Sequence, residues 1–336
     1  MITFFDISGD VLLKAICKES TIRTIDLFCG AGGSSWGAKQ AGAEIVACFD
    51  LWDLAGKSHH NNFPDTKFYH GRLEDLDIDH VATELGKIDL ILASPECTNH
   101  SPAKGNKPRC EESKNTAFQV TRFARKLNPR WIVIENVVSM RQWSRYKEFK
   151  SELSALGYNL REQVLNSADF DVPQSRRRLF LLCDRIITPA QTPPITTSPK
   201  MVDAILDFNG TYRWTPLHTE RRATATLERA ERGINELGPD KPFLIVYYGS
   251  DHAGGWQNLS RPLRTITTVD RFALVKPTPQ GHMMRMLQVP ELQLAMGMDG
   301  MQFEHGTRRE RIRMIGNAVC PPVMKQVITI LTASSK

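Results

Sequence analysis

Between residues 22 and 184, short apolar runs recur with helical patterns between them, and this alternation narrows the chain to one class of fold. Runs at 22–28, 44–49, 67–70, 88–93, 131–134, 160–165 and 178–183 read as strands, with helices at 34–41, 53–61, 115–127 and 145–156. Leu90-Ile91-Leu92-Ala93 and Trp131-Ile132-Val133-Ile134 are apolar at every position. Strands of that kind are covered on both faces, as in a parallel sheet layered by helices. The expected class is α/β: a doubly wound, mostly parallel, Rossmann-like sheet, with a second, smaller domain.

The smaller domain follows from a change in composition. Thr188 to Lys200 carries four prolines and four threonines and reads as a linker. Residues 201–260 show little periodicity but several aromatics, among them Phe208, Tyr212, Trp214, Tyr247, Tyr248 and Trp256. From Arg285 a helical pattern returns, ending in a last helix at 323–332. The expected division is an extension over 1–21, a main body over 22–184 and 285–336, and a separate recognition domain over 185–284.

The 336 residues hold 41% apolar and 24% charged residues, ordinary for a water-soluble protein. No run approaches the length of a membrane span, and Met1-Ile2-Thr3-Phe4-Phe5-Asp6 lacks a signal peptide's basic flank. Seven cysteines without paired spacing fit a reducing compartment, and no Cys-x-x-Cys is present, so no structural metal is expected. A cytoplasmic monomer is the expectation. The net charge of +6 permits a polyanionic partner. Three basic runs flank candidate site segments: Lys104, Lys107, Arg109 and Lys114; Arg176, Arg177 and Arg178; Arg308, Arg309, Arg311 and Arg313. Their placement points to phosphate contacts.

Open α/β sheets place reactive groups at the carboxyl ends of their strands. There the sequence offers Ser94-Pro95-Glu96-Cys97 and, after the next strand, Glu135-Asn136-Val137. A thiol beside a proton-handling acid suits addition to an electron-poor carbon. Phe28-Cys29-Gly30-Ala31-Gly32-Gly33 follows the first strand and opens a helix, where glycines let a backbone approach a ligand. Asp50 ends the second strand, placed to hold ribose hydroxyls, with Trp52 as a stacking face. Together these favour an adenosine-containing cofactor. Cys29, Cys48 and Cys183 read as small buried hydrophobes without chemistry.

Five blocks carry a resemblance: Asp26 to Gly33, Ser94 to Cys97, Glu135 to Val137, Gln174 to Arg178, and Gly316-Asn317-Ala318-Val319-Cys320-Pro321-Pro322. In this order they resemble the DNA (cytosine-5) methyltransferases over roughly residues 22–330. The resemblance implies S-adenosylmethionine as cofactor, double-stranded DNA as partner and a flipped-out cytosine as substrate. It implies Cys97 as nucleophile towards C6, Glu135 as the acid at N3, Arg178 on the base O2 and on that acid, and Arg176 as a supporting catalytic-site residue. Cofactor contacts would come from Phe28, Gly30, Gly32, Gly33, Asp50, Trp52, Leu73, Pro95, Asn317 and Val319, and DNA contacts from Lys104, Lys107 and Arg109. Arg261-Pro262-Leu263-Arg264-Thr265 resembles the segment supporting the recognition domain. A cognate restriction endonuclease is a candidate partner, and the nucleoid the expected location when DNA is bound. The chain departs from the family's Pro-Pro-Cys-Gln at Pro95-Glu96-Cys97-Thr98, and Cys320 replaces a commonly apolar or small residue. Gly71-Arg72-Leu73 stands for Gly-Asp-Ile, leaving Asp75 as the candidate acidic contact to adenine. Two rivals remain: an RNA (tRNA) cytosine methyltransferase on the same scaffold, and a DNA-binding protein with a decayed site.

Overall fold

A computed structural model of the protein describes residues 21–96, 116–248 and 254–333. Its elements in chain order are β1 (Arg23–Leu27), α1 (Gly33–Gln40), β2 (Glu44–Asp50), α2 (Asp53–Asn62), β3 (Lys67–His70), α3 (Ile78–Leu85), β4 (Leu90–Ala93), α4 (Phe118–Leu127), β5 (Trp131–Asn136), α5 (Tyr146–Ala155), β6 (Asn159–Asn166) and β7 (Arg177–Asp184). These seven strands form one sheet in the order β3-β2-β1-β4-β5-β7-β6. From β3 to β5 every pairing is parallel, while β7 runs antiparallel to both β5 and β6. The sheet is therefore mostly parallel, as the alternation predicts.

Helices cover both faces because the central strands are apolar on both. Leu90 and Leu92 of β4 face the layer holding Ala38, Ala55, Met324 and Ile328, whereas Ile91 and Ala93 face Val120, Phe123, Phe149 and Leu153. Each of the larger side chains among these, fully buried, contributes about 1.5–3 kcal/mol. The Pro/Thr-rich linker runs beside the edge strand β6, where the Gln163 amide donates to Thr192 Oγ1 at 2.8 Å and Thr192 N donates back to Gln163 Oε1 at 3.1 Å. A covered edge cannot recruit a foreign strand.

The remaining elements are β8 (Thr215–Pro216), α6 (Thr224–Leu237), β9 (Phe243–Val246), β10 (Trp256–Asn258), β11 (Phe272–Lys276), β12 (Met283–Met286), α7 (Val289–Ala295), α8 (Arg308–Asn317) and α9 (Pro321–Ala333). Strands β8–β12 form an antiparallel sheet ordered β10-β9-β11-β12-β8. Its alternation is regular: Phe243, Ile245, Ala273 and Val275 pack beneath α6, while Leu244, Val246, Phe272 and Leu274 join the main core with Val319 and Ile315. The second sheet thus shares its inner face with the main body. The boundary expected at 284/285 falls inside β12, and a buried ion pair from Arg285 to Glu291, at 2.6 Å, ties that strand to α7.

By length and composition the stretch Arg308–Ala333 could cross a membrane, but 61% of its apolar window is buried inside the fold, as in a core helix. α9 packs on α1 at a point only glycine allows. A Cβ on Gly37 would lie 2.5 Å from the Pro321 carbonyl oxygen and 2.8 Å from Met324 Cβ.

Candidate active site

The carboxyl ends of β1, β2, β4 and β5 open into one cavity of about 690 Å³, within the range of about 300–1,000 Å³ usual for small-molecule sites. At one end the backbone leaves β1 through Phe28 at φ 59°, turns at Gly30 at φ 53° and enters α1 after Gly32 at φ 94°. Asp50 clamps this turn to β2: Oδ2 accepts from Gly30 N at 2.8 Å and Oδ1 from Trp52 N at 2.8 Å. Burial pushes the Asp50 carboxyl up, against the lowering effect of those backbone donors. The Trp52 ring lines the cavity, with the Arg313 guanidinium 4.5 Å from its centroid. Such cation–π contacts hold a ring's orientation.

Phe28, Gly30, Gly33, Asp50, Trp52, Leu73, Pro95, Asn317 and Val319 all line the cavity. Gly32 does not: it lies behind the turn, where a Cβ would sit 2.9 Å from His59 Cδ2. Gly33 allows a close approach, since a Cβ there would meet the Val319 carbonyl oxygen at 2.4 Å. The loop before α9 thereby closes the pocket wall. At the β3 end, Glu74 lines the cavity and takes a 3.4 Å ion pair from Arg72, whereas Asp75 is absent from the lining. Glu74, not Asp75, is the acid facing the site.

At the other end stand Glu135, Arg176 and Arg178. In the β5–β7 register Glu135 opposes Phe180, so Arg178, two residues along, projects from the same face as its diagonal neighbour. Arg178 Nε lies 3.2 Å from Glu135 Oε1. Glu135 is buried, and desolvation pushes its carboxyl above the usual range although Arg178 and Arg176 pull it down. Asn136 joins two strand ends, its amide donating to the Pro95 carbonyl at 3.0 Å. Ser94 Oγ is buried with no hydrogen-bond partner among the described residues. Cys97 follows Glu96 directly and, with Lys104, Lys107 and Arg109, lies outside the described residues.

Two of the three basic runs have members that brace the protein's own groups, while Arg177, Arg309 and Arg313 remain exposed. Arg176 is buried and donates to the carbonyls of Ile266 at 2.9 Å, Gly316 at 2.8 Å and Ala318 at 3.1 Å. Arg308 pairs with Asp270 at 2.5 Å, and Arg313 covers Trp52. Arg313, Asn136 and Glu74 are the lining or bracing residues that sequence reasoning missed. Their neighbourhood was visible in the motifs, but their direction was not. Cys320 lies beneath the site, its thiol 3.8 Å from Met296 Sδ, and burial raises its pKa.

The residues present fit a nucleoside cofactor. A carboxylate held by backbone donors, a braced aromatic face and an orphaned buried hydroxyl share one concavity. An acid with raised pKa stands at its far end, as proton transfer to a bound ring requires.

Residues 22–332 match the profile of the C-5 cytosine-specific DNA methylase family. The chain is 28% identical over 313 residues to "Type II methyltransferase M.HgiDI" of Herpetosiphon aurantiacus, covering 89% of this chain and 90% of that one. It is 30% identical over 188 residues to "Type II methyltransferase M.DdeI" of Desulfomicrobium norvegicum, where the match spans 54% of this chain and only 45% of the relative. Among solved structures, the S. pombe Dnmt2 methyltransferase superposes with a TM-score of 0.68 at 17% identity, covering 94% of this chain and 99% of that one. At that identity the likeness speaks for the fold.

Proposed function

Because the chain belongs to the C-5 cytosine-specific DNA methylase family, we propose that it transfers a methyl group from S-adenosylmethionine to C5 of a cytosine flipped out of double-stranded DNA, through a covalent bond from Cys97 to C6. The observation that carries this reading is the shared cavity, with the Asp50–Trp52 end and the Glu135–Arg178 end lining one space.

Bound S-adenosylmethionine would supply an electrophilic methyl group on a sulfonium. Trp52, steadied by Arg313, would stack on the adenine, and Asp50 would accept from the ribose hydroxyls with lone pairs not used on Gly30 and Trp52. Glu74 would receive the adenine amino group in place of the missing aspartate at Arg72. C5 of cytosine is a weak nucleophile until something adds at C6, so a Cys97 thiolate would add there. Glu135, kept protonated more readily by burial, would donate to N3 and drain charge from the ring. Arg178 would hold that carboxyl in place and reach the base O2. Loss of the C5 proton and departure of the thiolate would restore the aromatic ring.

DNA is favoured over RNA as substrate by the family description and by near full-length similarity to a Type II methyltransferase. A cognate restriction endonuclease belongs to the same reading. The test is incubation of purified protein with methyl-labelled S-adenosylmethionine and either plasmid DNA or tRNA. Label in DNA cytosine is the expected result. Label in tRNA alone would establish the RNA rival, and label in neither would leave a binding protein with a decayed site. DNA carrying 5-fluorocytosine should trap the wild type covalently, since fluorine cannot leave as the C5 proton does.

A further inference from the structure

Behind the glycine turn lies a cluster that the proposed reaction does not use. Cys29, just after β1, Cys48 on β2 and His59 on α2 are all buried, and their sulfur and ring-nitrogen atoms lie within 4.8 Å of one another. Cys48 Sγ and His59 Nδ1 are 3.4 Å apart. Tetrahedral ligands of zinc, with Zn–S near 2.3 Å and Zn–N near 2.0 Å, stand roughly 3.6 Å apart. The other face of the imidazole is fixed as well. Ser35 Oγ donates to Asp26 Oδ2 at 2.6 Å, which leaves its oxygen to accept from His59 Nε2 at 3.1 Å. That arrangement turns the Nδ1 lone pair towards the two sulfurs. A chain from carboxylate through hydroxyl to histidine is the kind of outer support that orients metal ligands.

We propose that Cys29, Cys48 and His59 form a binding site for a thiophilic d¹⁰ cation of the Zn²⁺ and Cd²⁺ class. Binding would release the two thiol protons, giving a divalent ion, two thiolates and a neutral imidazole with no net charge, as burial requires. The Gly30 carbonyl oxygen accepts from the Cys29 thiol at 3.5 Å and is a further oxygen donor close to the sulfur. Cys29 also lines the cavity wall, which gives the ion a way in. The bland alternative is an S–H···N hydrogen bond in an apolar core. Sequence spacing argued against a metal because the ligands sit on three separate elements. Bound there, the ion would tie the glycine turn to β2 and α2, a structural clasp beside the Asp50 clamp.

The test is X-ray absorption on chelator-treated wild type reloaded with one equivalent of Zn²⁺. A triple variant, Cys17→Ser with Cys97→Ser and Cys110→Ser, removes the thiols outside the described residues. Both proteins should show two sulfurs at about 2.3 Å and nitrogen at about 2.0 Å. Cys48→Ala should lose more than about a hundredfold in Zn²⁺ affinity, beyond what loss of an outer-shell partner costs. A shell without sulfur in the triple variant, or affinity unchanged in Cys48→Ala, would overturn the assignment.

Discussion

Arg176→Met tests how the site is assembled. The arginine side chain is almost wholly inside, 3% exposed, and its guanidinium serves the carbonyls of Ile266, Gly316 and Ala318. Methionine fills similar space but donates nothing, so all three carbonyls lose this donor. A hydrogen bond from a charged donor contributes about 1.5–3 kcal/mol. Three sharing one side chain do not add fully, so the total falls short of their sum. We therefore expect the unfolding free energy to fall by about 3–5 kcal/mol, a large share of a stability of about 5–15 kcal/mol. Arg176→Lys should recover only part of this, because an ammonium lacks the planar fork that reaches separated acceptors. Two of the freed carbonyls, those of Gly316 and Ala318, flank Asn317, which lines the cavity, so affinity for S-adenosylmethionine should drop by about tenfold or more, equivalent to about 1.4 kcal/mol. Urea unfolding followed by tryptophan fluorescence, with calorimetric titration of cofactor, measures both. A loss under about 1 kcal/mol with unchanged cofactor affinity would show that the network is dispensable.

Glu135→Gln should slow methylation by roughly two to four orders of magnitude, because the amide cannot deliver a proton to N3. The same change should stabilise the fold in mildly alkaline buffer. A carboxyl with raised folded pKa contributes stability below its unfolded pKa and loses it as pH rises through the folded value, so the wild type should weaken on that climb more than the variant in urea titrations at stepped pH. Gly37→Ala should destabilise by about 1–3 kcal/mol despite better helix propensity, since the new methyl meets Pro321 backbone, and calorimetry would show the lowered midpoint. Replacing Lys104, Lys107 and Arg109 together with alanine should flatten the slope of log DNA affinity against log salt by up to about three units. An unchanged slope would remove those residues from the DNA interface.

The parts of the fold legible in sequence were those where one signal dominated. β4 and the first four residues of β5 are apolar at each position because both faces are covered, so both strands were found, although β4 begins two residues later than expected and β5 runs two residues further, through Glu135 and Asn136. α3 was missed although its ends were marked: Asp77 caps it by accepting from Asp79 N and His80 N, and Gly86 leaves it at φ 64°. Asp and His at its first turn hid the short apolar stripe of Val81 and Leu85. α6 was missed for the opposite reason, since Glu228, Arg229, Glu231, Arg232 and Glu236 leave little apolar pattern on a helix whose buried positions include Ala230 and Gly233. In the site, Glu135 and Arg178 share a cavity because motif and strand end coincide. Arg176 could not be read as a brace, because its acceptors lie 90 to 142 residues further along the chain.

That distance has a consequence for how the protein comes into being. β1 to β7 are complete once residue 184 has been made, yet the pocket wall at Gly33 is closed by Val319 and the α9 that follows. At synthesis rates of about 5–20 residues per second, a nascent chain would carry a finished sheet without a finished pocket for on the order of ten seconds. During that interval the apolar face of α1 awaits its partner helix, open to chaperones and to proteases, and no methyl donor can help to hold it. Ligand rescue of a destabilised variant would then act only once α9 has been made and has packed on α1.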